Sequence, residues 1–280
     1  MKKIFAFVMA IAMLLCCAAC GNSDTAGNRL DEIKERGYIE VVTEPYFAPF
    51  EFIDSSLPEG EQFVGLDIEL GQYIADKLGV ELRIIPLEFA AVQSSIVEGK
   101  YDLALSALAY SPTRAEAMGM SNSYYNDEAM GFTFLTREED YGKYESIESV
   151  ADAVIVTQSG SVQEFLYNDQ IKNAVKVKEF KLVDNMTTAY LAVSEGKADV
   201  CVCSTESAQL YADANGGLAV PEFRLTVDPN MNGTVVALGP DDTDTLKEFI
   251  NECIAELKAK DQITKWNDEY KAYAASLGIE

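Results

Sequence analysis

The sequence predicts an α/β fold made of two similar lobes, and three observations support this prediction. Short β-rich segments alternate with helical segments along the chain, which is the pattern of βαβ units around a mostly parallel sheet. A helix–glycine–turn–strand pattern occurs twice, 97 residues apart, and indicates two units built on one plan. The chain behind its N-terminal segment is also long enough for two medium-sized domains.

The first unit begins with strands and helices that the residue pattern defines well. Residues 38–43 are β-rich, and hydrophobic residues recur at helical spacing through residues 70–78 until Gly79 ends the helix. A second strand is expected around residues 82–84, and a second helix over residues 91–97. This order of elements predicts a parallel sheet with helices on both faces.

The repeated pattern reads EGKYD followed by LALS in the first copy and EGKAD followed by VCVC in the second. Residues 103–108 are almost continuously apolar, as expected for a strand buried on both faces. Ligands of open α/β sheets bind beyond the carboxyl ends of the strands. The pattern therefore predicts a binding site formed by residues 106–109 and residues 203–206.

The N-terminus has the features of a secretory signal. Lys2 and Lys3 precede an uncharged stretch, residues 4–19, that is too short for a comfortable membrane span. Small residues before Cys20 resemble the lipobox of bacterial lipoproteins, which predicts lipidation of that cysteine. Cys17 stands where a lipobox usually has leucine, so an ordinary cleaved signal is the alternative. The small polar residues that follow are typical of a flexible tether.

The charge of the chain argues against several classes of function. There are 46 acidic and 22 basic residues, and loss of Lys2 and Lys3 with the leader would lower the formal charge from −24 to −26. Such acidity repels phosphate backbones, so we expect no nucleic-acid partner. We also expect no membrane contact beyond the lipid anchor, because no later segment is long and apolar enough to span a bilayer.

The cysteines and the absence of histidine argue against a metal site and against common catalytic sites. Cys201, Cys203 and Cys253 lie in the body of the chain, an odd number without the spacing of a disulfide framework. We expect them to be small packing residues. The sequence contains no histidine, which excludes the usual triads and most zinc sites. We therefore expect no metal and no cofactor.

Several stretches resemble the amino-acid-binding family of periplasmic and lipoprotein solute receptors, the family 3 extracellular substrate-binding proteins of ABC importers. The likeness extends from about Leu30 to the C-terminus. The matching stretches are residues 41–52, 65–70, 99–114, 121–125 and 154–161, together with Lys265 and Trp266. The resemblance implies a type II periplasmic-binding-protein-like fold, in which each lobe has a mostly parallel sheet flanked by helices and two hinge crossings join the lobes.

The same resemblance implies the organisation of the domains. The first lobe is built from both ends of the chain, the second lobe is inserted, and residues 129–136 and 233–238 fit the two crossings. The predicted divisions are a signal peptide at 1–19, a tether at 20–29, the first lobe at 30–132 and 233–280, and the second lobe at 133–232.

The resemblance also implies which residues would hold a ligand carboxylate. Arg114 follows a Ser-Pro helix start, and its planar guanidinium would grip the carboxylate with two parallel donors. Ala107 and Ala109 would contribute backbone groups, although the family usually has Ser or Thr at the second position. Gly160 and Ser161 lie where a strand leads into a helix, a suitable place for an anion. A solvated arginine and a plain tight turn are the alternatives.

The remaining candidates would hold the rest of the solute. Phe47 and Phe89 match aromatic positions that sandwich the side chain of the solute in the family, although core packing is the commoner role of phenylalanine. The acidic residue that usually receives the ligand ammonium corresponds to Ser204, which cannot neutralise a charge. Glu206 would replace it by reaching back, or Glu44 would take the amine or another cationic group; a plain exposed glutamate is the alternative for Glu206.

The sequence therefore predicts a monomeric solute receptor and not an enzyme. It would close by hinge motion over an amino acid or a related small polar carboxylate and present the closed form to an ABC permease. Its location would be extracytoplasmic, with a lipid anchor in the cell membrane. The alternative is a cyclic-acid dehydratase of the prephenate or arogenate type on the same fold, with Glu44 or Glu206 as the acid.

Overall fold

A computed structural model describes residues 28–126, 131–228, 231 and 233–279. The predicted signal peptide, the lipidation candidate Cys20 and most of the predicted tether lie outside these residues. The first predicted crossing, 129–136, is described only from Gly131 onward.

The described chain alternates helices and strands, in the following order along the sequence. The helices are α1 (Arg29–Arg36), α2 (Leu66–Leu78), α3 (Phe89–Val97), α4 (Pro112–Ala117), α5 (Val162–Leu166), α6 (Met186–Ser194), α7 (Thr205–Asn215), α8 (Asp244–Ala259) and α9 (Gln262–Leu277). The strands are β1 (Tyr38–Thr43), β2 (Phe52–Ile53), β3 (Phe63–Val64), β4 (Glu81–Pro86), β5 (Leu103–Ala104), β6 (Gly119–Met120), β7 (Tyr125–Asn126), β8 (Phe132–Arg137), β9 (Val154–Gln158), β10 (Glu179–Val183), β11 (Val200–Ser204), β12 (Leu218–Ala219), β13 (Gly233–Thr234) and β14 (Ala237–Leu238). Turns of 3-10 helix at Glu138–Asp140 and Glu148–Val150, and a π-helical turn at Tyr167–Ile171, complete the elements.

The first lobe is built on a five-stranded sheet with the order β4-β1-β5-β14-β6. The strands β4, β1 and β5 are parallel, whereas β14 returns from the C-terminal part of the chain and runs antiparallel to β5 and β6. The helices α2, α8 and α9 pack around this sheet over a core that includes Leu70, Ile74, Ile250 and Leu257. Both ends of the described chain therefore contribute to one lobe.

The second lobe is built on a sheet with the order β10-β9-β11-β8-β12. Here β10, β9 and β11 are parallel, and β8 and β12 complete the sheet as antiparallel strands. Cys201 and Cys203 are buried on one face of β11 and belong to one core cluster. They and Cys253 are free thiols, which confirms the prediction that they are packing residues.

The repeated turn has the same structural role in both lobes. In the first lobe, Asp102 Oδ2 accepts a hydrogen bond of 2.8 Å from the backbone N–H of Glu40 on β1. In the second lobe, Asp199 Oδ2 accepts one of 2.8 Å from the N–H of Val154 on β9. The glycines of the two copies have φ values of +66° and +71°, a left-handed conformation that favours glycine. The motif is therefore a helix stop whose aspartate holds the start of the neighbouring strand.

The expected strand over residues 103–108 is shorter than predicted. Ladder pairing ends at Ala104, and Ala107 has a left-handed φ of 45°, so the chain turns out of the sheet. Leu105 and Leu108 are nevertheless fully buried, which explains why the apolar run continued past the strand. The apolar run over residues 103–108 therefore reflects burial of these residues and not a continuous strand.

The two predicted crossings contain paired strands. The described part of the first one consists largely of β8, a paired strand of the second sheet, and the second one contains β13 and β14, which pair with strands of the first lobe. Phe47 packs against the cores of both lobes, so the two lobes are in contact beside it. Within the described residues, no helix has the length and apolar character needed to cross a membrane.

Candidate functional site

A pocket lies between the lobes at the carboxyl ends of their parallel strands. Of the ten ligand-binding residues predicted from the sequence, eight line it. These eight are Glu44, Phe47, Phe89, Ala107, Ala109, Arg114, Ser161 and Ser204. Gly160 lies beside this pocket and contacts Arg114, whereas Glu206 does not line it. The strands β1, β5, β9 and β11 lead directly into the lining residues, as the rule for open α/β sheets predicts.

Arg114 is held by a well-defined local structure. The hydroxyl of Ser111 caps α4 by accepting a 3.2 Å hydrogen bond from the N–H of Arg114, and Pro112 occupies the first helical position. This confirms the helix start predicted from the sequence. Burial lowers the pKa of the Arg114 guanidinium to about 10, so the group remains charged at neutral pH.

The guanidinium of Arg114 already makes three hydrogen bonds to the protein. Its Nε donates to Oε1 of Gln93 at 2.9 Å, Nη1 to the carbonyl of Ala109 at 2.7 Å, and Nη2 to the carbonyl of Gly160 at 2.9 Å. A guanidinium has five N–H donors, so one N–H on each terminal nitrogen remains. Two parallel donors are what a bidentate carboxylate requires.

The start of α5 is less open to an anion than the sequence suggested. The N–H of Gly160 donates to Oε2 of Glu164 at 2.7 Å. The hydroxyl of Ser161 caps the helix by accepting from the N–H of Glu164 at 3.1 Å, and donates to the carbonyl of Gln158 at 2.7 Å. The Gly160 N–H that was expected to face an anion is therefore occupied by the carboxylate of Glu164.

Three buried carboxyl groups of the first lobe form the acidic end of the site: Glu44 and Glu51 line the pocket, and Asp67 is a neighbour of Glu51. Glu44, Glu51 and Asp67 are exposed by only 2%, 1% and 0%. Asp67 accepts 2.6 Å and 2.8 Å hydrogen bonds from the hydroxyl of Tyr124 and the N–H of Ala107. The cluster concentrates acidic groups where water is excluded, so their protonation depends on what occupies the pocket.

Burial raises the pKa of each of these carboxyl groups. The pKa of Glu44 rises to about 8, mainly by desolvation and also through the charge of Glu88, against a hydrogen bond from Gln158 that lowers it. The pKa of Asp67 rises to about 6 by desolvation. Desolvation and the neighbouring charge of Asp67 raise the pKa of Glu51 well above its usual value. At neutral pH a pKa of about 8 leaves the carboxyl group of Glu44 mostly protonated.

Oε1 of Glu44, a residue that lines the pocket, has no hydrogen-bond partner among the described residues. Glu51 also lines the pocket, but its carboxyl group shares a hydrogen bond with that of Asp67. Leaving a buried polar atom unpaired costs about 1–3 kcal/mol. A cationic or hydrogen-bond-donating group of a ligand would remove this cost.

The structure separates the two acids that the sequence offered as replacements at the amine position. One carboxyl oxygen of Glu206 pairs with Lys271 of α9 in the first lobe and the other has no partner among the described residues, so no contact in the structure supports the prediction that Glu206 turns toward the ligand. Ser204 does line the pocket, and its hydroxyl caps α7 at 3.4 Å from the N–H of Ser207. Glu44 is thus the acid, of these two, that faces the pocket, because the carboxylate of Glu206 is already held by a lysine.

The chain matches the family model of the bacterial extracellular solute-binding proteins, family 3, over residues 39–272. It belongs to this family. A solved amino acid ABC transporter substrate-binding protein from Streptococcus pneumoniae, bound to L-arginine, is 32% identical, covers 87% of this chain and 97% of its own, and superposes with a TM-score of 0.78. The shared fold is that of a two-lobed solute-binding protein.

Two curated relatives carry different activities in their names. The arginine-binding extracellular protein ArtP of Bacillus subtilis is 23% identical over 95% of this chain and 96% of its own length. The cyclohexadienyl dehydratase of Pseudomonas aeruginosa is 24% identical over 76% of each chain. Family membership alone therefore does not distinguish capture of a solute from turnover of one.

The two aromatic candidates of this solute-binding protein, Phe47 and Phe89, both line the pocket. Phe47 stacks on Phe50 with ring centroids 5.9 Å apart and packs against both lobes. Phe89 lies under Arg114, whose guanidinium carbon is 5.7 Å from the ring centroid. Both rings contribute apolar surface to the same pocket.

Nine lining residues were not among the ten ligand-binding residues named from the sequence, although one of them, Ser106, lies in the predicted site segment 106–109. They are Glu51, Ser106, Phe132, Gln158, Val162, Gln163, Met231, Gly233 and Thr234. The first of these lies in a family-like stretch and Ser106 within the predicted strand end, so both had a detectable signal. Gly233 and Thr234 reach the pocket only because the return segment bridges to Ala109, a contact between distant parts of the chain.

Proposed function

We propose that this protein is the extracytoplasmic receptor of an ABC importer and captures a cationic amino acid, with L-arginine as the leading candidate. The observation that carries the proposal is that one pocket is lined both by the guanidinium of Arg114 and by a buried carboxyl group, that of Glu44, with an unpartnered oxygen. A molecule with a carboxylate and a cationic group satisfies both ends.

In this proposal the α-carboxylate of the ligand binds the two remaining N–H groups of Arg114. The cationic end lies at Glu44, with Glu51 behind it, and Phe47 and Phe89 flank the aliphatic part. Residues of both lobes line the pocket, so a ligand that contacts both favours the closed form. The permease then distinguishes the closed form from the open one.

The comparisons support the choice of ligand. Solved structures of relatives contain L-arginine, and one of them is 27% identical to this chain with a TM-score of 0.79. Desolvating an ammonium or guanidinium without a counter-charge is costly, and Glu44 supplies that charge within the pocket. Ser204 and the glutamines Gln158 and Gln163 supply neutral hydrogen-bonding groups that suit the rest of a polar solute.

A panel of solutes tests this function. L-arginine, L-lysine, L-histidine, L-glutamine and L-glutamate are each added to the purified protein, and thermal unfolding and titration calorimetry are measured. Arginine is expected to give the largest stabilisation, because a ligand raises stability by RT ln(1 + [L]/Kd). Absence of any shift across the panel, or tighter binding of glutamate than of arginine, contradicts the proposal.

We also propose that Cys20 carries the lipid anchor. The support is the basic start of the chain and the small residues before this cysteine. Replacement of Cys20 with serine is expected to release soluble protein from membranes, because no other acyl acceptor follows a lipobox-like segment. Fractionation of cells followed by immunoblotting measures this. Membrane retention equal to that of the wild type would contradict the anchor.

A dehydratase is the second candidate function, and one observation favours it. The raised pKa of Glu44 keeps its carboxyl group protonated at neutral pH, as a general acid requires, and Arg114 in the same pocket suits a carboxylate substrate. A relative named cyclohexadienyl dehydratase adds weight. Formation of aromatic product from prephenate or arogenate would establish this activity, and its absence at high enzyme concentration would leave the receptor function.

A further inference from the structure

Gln93 lies on α3 of the first lobe, outside the ligand pocket, yet it contacts the residue that we assign to the ligand carboxylate. We propose that Gln93 is a positioning residue: it orients the guanidinium of Arg114 for the carboxylate and ties that end of the site to the second lobe. The inference rests on the proposed function for the identity of the ligand. The evidence for it is the set of hydrogen bonds that Gln93 makes to Arg114 and to Gly160.

The side-chain amide of Gln93 uses both of its ends. Its Oε1 accepts from Nε of Arg114 at 2.9 Å, and its Nε2 donates to the carbonyl of Gly160 at 3.1 Å. The same carbonyl accepts from Nη2 of Arg114 at 2.9 Å. Glutamine, arginine and the carbonyl therefore form a closed ring of three hydrogen bonds across the two lobes.

This ring determines the plane of the guanidinium. Nε, Nη1 and Nη2 are held by oxygens from three different places, namely Gln93 on α3, Ala109 after β5, and Gly160 in the second lobe. Rotation about the last side-chain bonds would break all three hydrogen bonds together. The remaining N–H of each terminal nitrogen is thus held in one orientation before a ligand arrives, which lowers the entropic cost of binding.

The contact with the second lobe is unusually close. A Cβ atom on Gly160 would lie 3.0 Å from Nε2 of Gln93, nearer than such atoms normally approach. Gly160 also has a left-handed φ of +73°, which glycine adopts without strain. The absence of a side chain at residue 160 is what allows the amide of Gln93 to reach the carbonyl.

The functional consequence is that the orientation of the Arg114 guanidinium depends on whether the lobes are closed. Gly160 belongs to the segment between β9 and α5, and opening of the lobes would break its hydrogen bonds to both Gln93 and Arg114. Loss of those bonds frees the guanidinium to rotate and weakens its grip on a carboxylate. Gln93 therefore slows ligand release and strengthens selection for ligands that carry a carboxylate.

The test compares L-arginine with agmatine, which has the same cationic end but lacks the carboxylate. Gln93→Leu removes both hydrogen bonds, whereas Gln93→Glu keeps an acceptor for Arg114 and replaces the donor to Gly160. Gln72→Leu is the matched control, because Gln72 is an exposed glutamine of the same lobe that bonds Asp76 at 2.7 Å. Affinities are measured by calorimetry with competition, and release rates by stopped flow.

In Gln93→Leu we expect Kd for arginine to rise roughly tenfold, the scale of one hydrogen bond to a charged group. The ratio of the agmatine Kd to the arginine Kd should fall about tenfold, since agmatine does not use Arg114 and its own Kd should stay unchanged. Gln93→Glu should restore much of this ratio while release stays fast. A merely structural glutamine would leave the ratio unchanged, so equal ratios and equal release rates in Gln93→Leu, Gln72→Leu and wild type would overturn the inference.

A second measurement separates this inference from the proposed function. If the wild type does not bind arginine, the proposed ligand is wrong, and the role of Gln93 is then tested without ligand. Spin labels on the exposed residues Glu98 and Asn173 report the distance between the lobes. We expect Gln93→Leu to shift this distance toward longer values, and a distribution identical to that of the wild type would overturn the cross-lobe role.

Discussion

The two ends of the pocket are built in different ways. At one end Arg114 is held by oxygens from both lobes, including the carbonyl of Gly160. At the other end Glu44, Glu51 and Asp67 are buried within the first lobe, and their pKa values are raised by desolvation. The arginine end therefore depends on whether the lobes are closed, whereas the acidic end depends on the charge of what enters.

In the proposed function, recognition of a ligand therefore depends on geometry at Arg114 and on charge at the carboxyl groups. Three of the five N–H donors of the Arg114 guanidinium are hydrogen-bonded to the protein without a ligand. The carboxyl group of Glu44 has an oxygen without a partner among the described residues. We expect the first end to determine how long a ligand stays and the second to determine which charge is accepted.

Removal of Arg114 should have the largest effect. Arg114→Ala is expected to cost about 2–5 kcal/mol of arginine binding, because it leaves a desolvated carboxylate unpaired. Arg114→Lys should fall between this variant and the wild type, since it keeps the charge but loses the planar arrangement of donors. Titration calorimetry of the three proteins measures the difference.

Arg83→Ala is the control for this prediction. Arg83 is a surface arginine of the same lobe, paired with Glu81, and its removal should leave ligand affinity unchanged. If Arg114→Ala binds arginine as tightly as Arg83→Ala does, the guanidinium does not hold the carboxylate and the two ends of the pocket are not divided as proposed.

Removal of the charge on Glu44 should have the next largest effect. Glu44→Gln is expected to weaken arginine binding by about 1.5–3 kcal/mol, the scale of a hydrogen bond to a charged group. Binding of L-glutamine should change much less, because its side chain carries no charge. Calorimetry with both ligands measures the selectivity, and Glu61→Gln on the exposed surface is the control. An equal loss of affinity for arginine and for glutamine would show that Glu44 does not select ligands by their charge.

The raised pKa of Glu44 predicts that binding depends on pH. A bound cation favours the ionised carboxylate, so capture at pH 7 should release a proton, and arginine affinity should rise with pH toward about 8. The limit is roughly tenfold per pH unit. Calorimetry in buffers with different ionisation enthalpies measures the released proton, and Glu44→Gln should release fewer. Affinity that falls as pH rises from 6 to 8 would contradict this assignment.

The raised pKa of Glu44 also predicts that the protein without ligand becomes less stable as the pH rises, whereas its affinity for arginine increases. The folded-state pKa of Glu44 is above its usual value of 4.5, so the folded state binds the proton more tightly than the unfolded state does. The stabilisation that Glu44 gives to the folded state is therefore fully present below about pH 4.5 and is lost as the pH rises toward 8. Urea unfolding without ligand between pH 5 and 8 should show this loss, and Glu44→Gln should reduce it.

The pair formed by Glu206 and Lys271 should have the smallest effect. It joins α7 of the second lobe to α9 of the first, and ion pairs of this kind contribute about 0–1 kcal/mol. Glu206→Gln and Lys271→Ala should each speed ligand release only slightly and to a similar extent, and the double variant should add little. Lys265→Ala on the same helix is the control.

A different outcome would restore the hypothesis that Glu206 binds the ligand. In that case Glu206→Gln would weaken arginine binding far more than Lys271→Ala does. Stopped-flow release rates for the single and double variants therefore separate a lobe-to-lobe contact from a ligand contact. Glu206 would then be a ligand-binding group in addition to Arg114 and the carboxyl groups of the first lobe.

The sequence by itself determined the local elements of this protein. Hydrophobic spacing and glycine stops predicted β1, α2, β4 and α3, and the serine–proline pair predicted the start of α4. These features depend on neighbours a few residues apart, so the sequence records them directly. The repeated turn was also detectable, because both copies do the same work at the start of a neighbouring strand.

Only the tertiary structure decided which charged groups meet. Glu206 was as good a candidate as Glu44 until the fold placed it against Lys271, which lies 65 positions further along the chain. The bond from Gln93 to Gly160 likewise joins residues 67 positions apart on different lobes, and no local pattern marks it. Such contacts arise when sheets and helices pack. Packing depends on the whole set of buried surfaces rather than on any one segment.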